Sequence, residues 1–366
     1  MTGLIRFFES MEDPRVERTR QHKFIDIVSI TIAAVICGCE DWYEIELFGH
    51  LKKDWLSQFL ELPNGIPSHD TFNRFFAALN AESLQQCFLD WVQEVAHLSE
   101  GRVISIDGKR LCNSGTAGKK AIVHMVSAWC QANNMVMGQV KTDDKSNEIT
   151  AIPELLKLLD IKGCTVTIDA MGCQTAIAAE IIDKGGDYVL AVKGNQGHLL
   201  DDIKEAFEQT ALSQKQSSQT LETGHGRIEK RNCYVIADTD WICNRTEWKG
   251  LQSLIQIKTE RTDKLSGEQQ HECRYYISSR RLAAGDILTI IRQHWGIENK
   301  LHWMLDVNFG EDASRKKAGN AAQNFSVISR IALNLLQNEK SKKLSIKKKR
   351  LAAGWQHQYL EKLMFG

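Results

Sequence analysis

The stretch Val103-Ile-Ser-Ile-Asp-Gly-Lys109 decides the fold class, because it predicts a buried strand that ends in a carboxylate. β-Branched residues favour an extended chain, and the acid follows where the strand gives way to a turn. A second stretch, Cys164-Thr-Val-Thr-Ile-Asp169, repeats this pattern. An ionised carboxylate is costly to bury without a partner, and a bound divalent cation removes that cost. Asp107 and Asp169 are therefore candidate ligands for magnesium or manganese, although aspartate also occurs at strand ends because it favours turns.

The segments around these strands predict a mixed sheet with helices on its faces. Strands that can pair antiparallel come first, over 103–107, 122–130 and 135–142. The chain then alternates helix and strand, over 149–159, 164–169, 175–184 and 187–193. Strand patterns return at 228–238, 254–259 and 273–277. A helix-rich segment follows, in which core-facing spacing is shown by Phe325, Ile328, Ala332 and Leu335.

The first hundred residues predict helices. The segment 24–39 is apolar and of helix length, and 82–96 predicts a second helix. Between them, the segment 44–60 predicts one amphipathic helix, with a stripe at intervals of four formed by Leu47, Leu51, Trp55 and Phe59. Ser68 is a candidate N-cap for a further helix. Short helices of this kind occur in DNA-reading modules, but they more often form a plain helical bundle.

Composition bounds the function only weakly. A chain of 366 residues is long enough for two or three domains, and its 46 basic residues balance 46 acidic ones. Zero net charge argues against a protein that coats nucleic acid, but the basic run from Lys340 to Arg350 suits a phosphate backbone or else forms a solvated end. The ten cysteines lack the paired spacing of a zinc site. No signal peptide or bilayer-length apolar stretch is visible, so we expect a cytoplasmic protein.

A third carboxylate, Glu298, lies in the stretch 290–305, which predicts a helix. Residues at four-residue steps would share one face of this helix, namely Ile290, His294, Glu298 and His302. Two histidines that flank a glutamate could bind a transition metal, but this spacing is not a recognised zinc motif. Trp295 and Trp303 could stack on an extruded base. Filling a core is the commoner role of tryptophan, and we expect it of at least one of the two.

Six segments of the chain resemble the H-repeat-associated transposases, a group within the DDE transposases of insertion sequences. The segments are Ile106-Asp-Gly-Lys109, Lys145-Ser-Asn-Glu-Ile-Thr-Ala-Ile-Pro-Glu-Leu-Leu156, Thr167-Ile-Asp-Ala-Met-Gly-Cys-Gln174, Ala191-Val-Lys-Gly-Asn-Gln196, His225-Gly-Arg-Ile-Glu-Lys-Arg231 and His294-Trp-Gly-Ile-Glu-Asn-Lys-Leu-His-Trp303. Any one of them could arise by chance, whereas six in the right order hardly could. The resemblance extends over nearly the whole chain.

This resemblance implies an α/β fold with a mixed sheet. An RNase H-like core would carry a β-rich insertion at about 223–279, between its last strand and the helix that bears Glu298. The implied domains are an N-terminal helical domain over 1–100, a catalytic domain over 101–340 and a basic tail over 341–366.

The resemblance also assigns the site and the reaction. It implies that Asp107, Asp169 and Glu298 are the catalytic residues and bind two magnesium or manganese ions. The expected activity cuts double-stranded DNA at the terminal inverted repeats of an insertion sequence and joins it to target DNA. A homodimer is expected because two transposon ends must be brought together. Such a protein would be associated with the bacterial nucleoid.

One departure from the related transposases concerns the residues around the catalytic glutamate. Those proteins carry Tyr, Arg and Lys where this chain has Ile291, His294 and Leu305. The candidates to replace their phosphate contacts are Arg292, His294 and Lys300. Because phosphate positioning uses Lys, Arg and amide side chains, further candidates for DNA contact are Lys109, Lys193, Asn195, Gln196, Arg227 and Arg231. Each of these could instead be a solvated surface group.

Two other functions remain open at this point. A nuclease on the same core would hydrolyse DNA but would never join strands. A catalytically silent DNA-binding remnant of a decayed element would keep the fold and lose the reaction. All three expected acids are present, which argues against gross decay of the site.

Overall fold

The computed structural model describes residues 3–96, 101–111, 123–142, 148–224 and 226–366. Helices before the sheet are α1 (Phe24–Cys37), α2 (Trp42–Leu51), α3 (Lys53–Leu56), α4 (His69–Ala78) and α5 (Ala81–Val95). Helices between and after the strands are α6 (Glu148–Leu158), α7 (Thr175–Asp183), α8 (Gly197–Gln209), α9 (Ala284–His294), α10 (Trp303–Phe309), α11 (Ala321–Asn338), α12 (Ile346–Trp355) and α13 (His357–Phe365).

The described strands form one mixed sheet. They are β1 (Val103–Leu111), β2 (Val123–Cys130), β3 (Met135–Lys141), β4 (Thr165–Ile168), β5 (Asp187–Val192), β6 (Gln216–Gly224), β7 (Arg227–Ile236), β8 (Ser253–Asp263) and β9 (Gln269–Ser278). Their order across the sheet is β3-β2-β1-β4-β5-β9-β8-β7-β6. β4 pairs parallel with β1 and β5, and every other neighbouring pair is antiparallel. This arrangement confirms the predicted mixed sheet and RNase H-like core.

The β-rich segment is longer than predicted and continues the core sheet. Its first strand, β6, begins at Gln216 and pairs with β7 along its whole length. The sequence gives little sign of this strand, because Gln-Ser-Ser-Gln-Thr-Leu-Glu-Thr-Gly is polar on both faces. Its last strand, β9, pairs with β5 through Val189 and Ser278, so the insertion extends the core sheet.

The side chains of β1 alternate between the two faces of the sheet, and Asp107 lies on the face that α9 covers. Side chains of a strand point alternately to opposite faces of the sheet. Val103 packs with Ile287 and Leu288 of α9 in one apolar cluster, whereas Ile104 belongs to the larger cluster that includes α6. Ser105 continues the α9 face, donating from its hydroxyl to the Gln293 carbonyl at 3.5 Å. Asp107 follows on this same face, at the end where α9 leads to Glu298.

The N-terminal and C-terminal helices form one bundle. α1 is buried on every side from Asp26 to Ile36 and packs against α2, α11, α12 and α13. A helix that is apolar all round lies inside a bundle rather than on its surface. α5 and α11 also contact β3, which joins the bundle to the sheet.

The predicted basic tail is wrong in part, because its residues fold into α12 and α13. Lys349 and Arg350 are buried. The Lys349 ammonium donates to the Leu336 carbonyl at 2.8 Å, and the Arg350 guanidinium donates to the Val35 carbonyl at 2.9 Å. Both cations thus satisfy carbonyls in the last turns of α11 and α1, where positive charge is favourable.

The helix predicted over 44–60 is also wrong in part. The chain breaks at Lys52 between α2 and α3, so residues at four-residue steps no longer share one face. Leu47 and Leu51 are 58% and 75% exposed, whereas Trp55 is buried. The predicted N-cap at Ser68 is confirmed, since its side chain accepts from the Thr71 amide.

Candidate metal centre and adjoining clefts

Parallel pairing of β1 with β4 brings the two aspartates next to each other. Ile106 pairs with Ile168, so Asp107 and Asp169 follow directly on neighbouring strands. Asp169 lies just beyond the end of β4, as predicted, but β1 continues past Asp107 to Leu111 through its pairing with β2, so the predicted strand end at Asp107 is wrong. A cleft of about 420 Å³ is lined by both aspartates and by Glu298. The three carboxylates predicted from sequence therefore face one space.

The tightest part of this cleft is a cluster of Asp107, Glu298 and His302. One possible ligand atom from each residue lies within 4.8 Å of the others. The Nδ1 atom of His302 is 3.1 Å from Glu298 Oε2 and 3.5 Å from Asp107 Oδ2. Burial, opposed by His302 and reinforced by Asp169, raises the pKa of Asp107 to about 6. The hydrogen bond with His302 holds the pKa of Glu298 below its usual range.

Asp169 lies outside this tight cluster and is held by its own loop. Its carboxylate accepts from the Met171 amide at 3.0 Å and caps the short 3₁₀ helix that follows β4. The Asn195 amide donates to the Ala170 carbonyl at 2.6 Å, and the Gln196 amide donates to the Cys173 carbonyl at 2.9 Å. Asn195 and Gln196 are predicted DNA contacts. In the structure, these amide groups donate hydrogen bonds to the loop that carries Asp169.

Glu298 and His302 lie in a π-helical turn, Glu298–His302, that connects α9 to α10. The predicted helix is therefore confirmed in outline, but it is not a straight α-helix. The turn at Trp295 lies close to the sheet, because a Cβ on Gly296 would overlap the Gln131 side chain. π-Helical turns are often found at functional sites. Sequence periodicity placed His302 on the same face as Glu298 and suggested a transition-metal site with two histidines, but the resemblance did not include His302 among the ligands.

His294 lines the first cleft and contacts the sheet. Its Nδ1 lies 3.0 Å from the Thr167 hydroxyl, and that hydroxyl donates to Ser105 at 3.2 Å. Burial lowers the pKa of His294 to about 4, so the ring is neutral at pH 7. A contact of His294 with phosphate in place of the missing arginine therefore stays a prediction, and at pH 7 it would be made by a neutral ring.

Lys109 also forms its contacts within the fold. Its side chain is 9% exposed, and its ammonium pairs with Asp306, with Glu311 at 3.2 Å and with Asp312 at 3.7 Å. These acids lie in and after α10, so Lys109 connects β1 to the helix that follows Glu298. Its role as a phosphate contact stays a prediction, and such a contact would require DNA to displace several carboxylates from a buried ammonium.

A second cleft, of about 500 Å³, adjoins the first and is rich in cations. Both clefts share Arg274, Tyr276 and Trp295. The cations that line the second cleft, called here the cationic wall, are Arg231, Arg261, Arg274, Arg292 and Lys300. The sequence analysis selected three of them and missed Arg261 and Arg274, whose strand positions carry no motif.

Glutamates neutralise part of the cationic wall. Glu222 accepts from Arg231 at 3.0 Å and from Arg292 at 2.7 Å. Glu229 and Glu272 pair with Arg261. Such partly exposed pairs contribute little to stability and can be exchanged for phosphate.

The remaining predicted cations and the tryptophans are exposed. Lys193 lines the first cleft, and Arg227 lies at the start of β7. Trp295 and Trp303 are 46% and 51% exposed, so the expectation that one of them fills the core is wrong. The Arg274 guanidinium stacks 4.7 Å from the centroid of Trp295.

Comparison with known proteins is consistent with this geometry. The profile described as Transposase DDE domain matches residues 98–335, and the DDE_Tnp_1-associated profile matches residues 5–92. This chain belongs to the Transposase DDE domain family. The region that matches the family profile includes Asp107, Asp169 and Glu298.

Relatives in Escherichia coli extend over almost the full chain. YncI of the O157:H7 strain, provisionally named a transposase, is 43% identical over 99% of this chain and 94% of its own. YhhI of strain K12, provisionally named an H repeat-associated transposase, is 43% identical over 94% of this chain and 93% of its own. These names confirm the predicted family.

A solved structure of a piggyBac transposase, in a synaptic complex with hairpin DNA, is also similar. The likeness covers 99% of this chain and 80% of that one, at 12% identity and a TM-score of 0.47. Within the described ranges, no helix has the length and apolar character needed to cross a bilayer.

The donor set of this transposase fits a divalent cation. Carboxylate oxygens are the ligands that magnesium and manganese prefer, and an imidazole nitrogen is accepted by manganese more readily than by magnesium. The observation that favours a cation is the burial of Asp107 beside other acids, with no lysine or arginine pairing its carboxylate among the described residues.

Proposed function

We propose that this transposase cuts DNA at the ends of its insertion sequence and joins the ends to target DNA in a metal-dependent reaction. The observation that carries the proposal is the convergence of Asp107, Asp169 and Glu298 on one cleft beside a cationic wall. An acid cluster next to Arg and Lys side chains matches a substrate whose phosphates must be held while one of them reacts.

Asp107, Asp169 and Glu298 would hold the cations, which supply activation of the attacking oxygen and stabilisation of charge on the leaving oxygen. His302 orients Glu298 and Asp107 through its Nδ1 atom. The loop after β5 holds the loop of Asp169 in place through Asn195.

DNA would lie along the two joined clefts. Lys193 and Arg274 border the acids, and Arg292 and Lys300 continue the positive surface away from them. Fixing the phosphodiester beside the acids makes the displacement effectively intramolecular, which lowers its entropic barrier.

Three further proposals follow from the family. The catalytic unit spans about 101–340, and the N-terminal helical unit spans about 1–100. Two copies would act together, because two transposon ends take part in one event. The protein would work in the cytoplasm on nucleoid DNA.

The test is cleavage and joining with purified full-length protein. A labelled duplex that carries the element's terminal repeat is incubated with a target plasmid in magnesium, in manganese or in chelator. We expect metal-dependent nicks and joined products from the wild type and from Glu154→Gln, a control at an exposed acid of α6. Asp107→Asn and Glu298→Gln should lower cleavage on the order of 1000-fold or more while the duplex still binds.

Each alternative function predicts a different result. Cut ends without any joined product would identify a nuclease. Duplex binding without cutting in either metal would identify a silent remnant. Undiminished cutting by Asp107→Asn would refute the assigned site.

A further inference from the structure

Glu148 places a further carboxylate against the metal centre. It is the first residue of α6, and its side chain lies over Gly108, the neighbour of Asp107. A Cβ on Gly108 would overlap the Glu148 carboxylate and would come within 2.8 Å of its Cγ. Because Gly108 has an ordinary strand conformation, its missing side chain serves to make room rather than to permit a turn.

No partner within the described chain accounts for this position. No hydrogen bond or ion pair links the Glu148 carboxylate to another described residue. Burial, together with Asp107 and Asp169 and opposed only in part by His302, raises the pKa of Glu148. Half-burial of an acid beside two other acids costs free energy in the absence of a counter-charge.

We propose that Glu148 is a fourth carboxylate of the metal centre and contributes to binding the divalent cation. The inference rests on the proposed function, because it assumes that Asp107 and Glu298 bind metal. It also gives a role to Glu148, to which the sequence analysis assigned none.

A purely structural role for Glu148 makes opposite predictions. An acid in the first turn of a helix is favoured by the helix dipole, so its removal would lower stability with or without metal. A metal ligand placed among acids instead costs stability in the empty site and returns it when the cation binds.

The experiment measures manganese binding to full-length protein by electron paramagnetic resonance, together with Tm in chelator and in manganese. Glu148→Gln is compared with the wild type and with Glu154→Gln, which removes an exposed carboxylate two turns along the same helix. We expect Glu148→Gln to weaken manganese binding by about 10-fold or more. Its Tm in chelator should equal or exceed that of the wild type, and its gain on adding manganese should be smaller.

Gly108 offers an independent route to the same answer. Gly108→Ala keeps every acid but pushes the Glu148 carboxylate away, so it should also weaken manganese binding. In a Glu148→Ala background the three atoms nearest the added methyl are gone, and Gly108→Ala should then have little further effect. This lack of additivity is the signature of a shared cause.

The outcomes separate the inference from the function on which it rests. Manganese binding by Glu148→Gln equal to that of Glu154→Gln, or a lower Tm in chelator, would overturn the role of Glu148. If Asp107→Asn in the same assay loses manganese binding while Glu148→Gln does not, the metal centre stands and only the inference falls. Unchanged binding by Asp107→Asn would overturn both.

Discussion

Burial determines the charge of Lys316, which joins the segment after α10 to the start of α2. Its ammonium donates to the Glu40 carbonyl and lies 3.6 Å from the ring centroid of Phe325. The side chain is almost fully buried. Burial lowers its pKa from 10.5 to about 8, and the nearby Asp41 carboxylate offsets this only in part. The folded protein therefore releases this proton at a lower pH than the unfolded chain does.

We expect the free energy of unfolding to rise between pH 8 and 10.5, because the unfolded chain then holds a proton at Lys316 that the folded chain has lost. The cost of burying the charge is full below pH 8 and disappears as the ammonium deprotonates. From 10.5 to about 8 is 2.5 units, which at 1.36 kcal/mol per unit bounds the gain at about 3 kcal/mol. Urea unfolding of the wild type and of Lys316→Met at several pH values isolates this contribution, since other groups cancel. Equal slopes of the free energy of unfolding against pH in the two proteins would contradict this prediction.

Single residues were predicted well where the signal is local and poorly where it is not. Asp107 and Asp169 could be matched because each follows a run of similar β-branched sequence, although only Asp169 lies at the end of its strand. The sequence could not show that Lys109 and Asn195 have partners within the fold, because Asp306 and the Ala170 carbonyl are distant in sequence. In the sequence, an exposed lysine cannot be distinguished from a buried and paired lysine until its partner is known.

At the scale of elements, the turn after β5 holds the turn after β4. Each turn contains a short 3₁₀ helix, Gly194–Gln196 and Ala170–Gly172 respectively. The Asn195 amide joins them, while the Asp169 carboxylate caps the second one. The position of Asp169 thus depends on a hydrogen bond from the neighbouring loop.

We expect Asn195→Ala and Asn195→Asp to slow cleavage by about 5-fold, because each removes one hydrogen-bond donor worth about 1 kcal/mol. Affinity for the terminal duplex should stay unchanged, since the amide is directed at the Ala170 carbonyl. Cleavage rates and duplex Kd values measured side by side separate the two roles. A weaker Kd with an unchanged rate at saturating DNA would restore Asn195 as a DNA contact.

The predicted boundaries of helices and strands were wrong where strand pairing or packing overrides the local sequence pattern. β6 is polar and gains its structure from β7, so periodicity could not reveal it. The stripe from Leu47 to Phe59 suits one helix, yet the chain turns at Lys52, whose ammonium donates to the Gly354 carbonyl at 2.8 Å. That partner in α12 lies near the other end of the sequence. Long-range contacts of this kind are invisible in a local window.

On the scale of the whole molecule, zero net charge conceals an uneven distribution. Cations gather in the cationic wall beside the acids, and a second basic surface lies at the end of the chain. In the second surface, Lys349 and Arg350 are buried in the bundle, which leaves Lys347 and Lys348 exposed on α12. The two surfaces therefore compete as the principal site of DNA binding.

The salt dependence of binding decides between the two surfaces, because each phosphate contact releases counterions and steepens the slope of log K against log salt by about one. Arg292→Ala with Lys300→Ala removes two cations from the wall, and Lys347→Ala with Lys348→Ala removes two from α12. The charge change is the same in both proteins, so general electrostatics cancel. We expect the first pair to reduce the slope for the terminal duplex by about two and the second pair to leave it unchanged. The wall is favoured because it adjoins the acids and because Glu222, which Arg292 would exchange for phosphate, is itself partly exposed. A reduced slope in the α12 pair alone would instead place the DNA along the helical bundle.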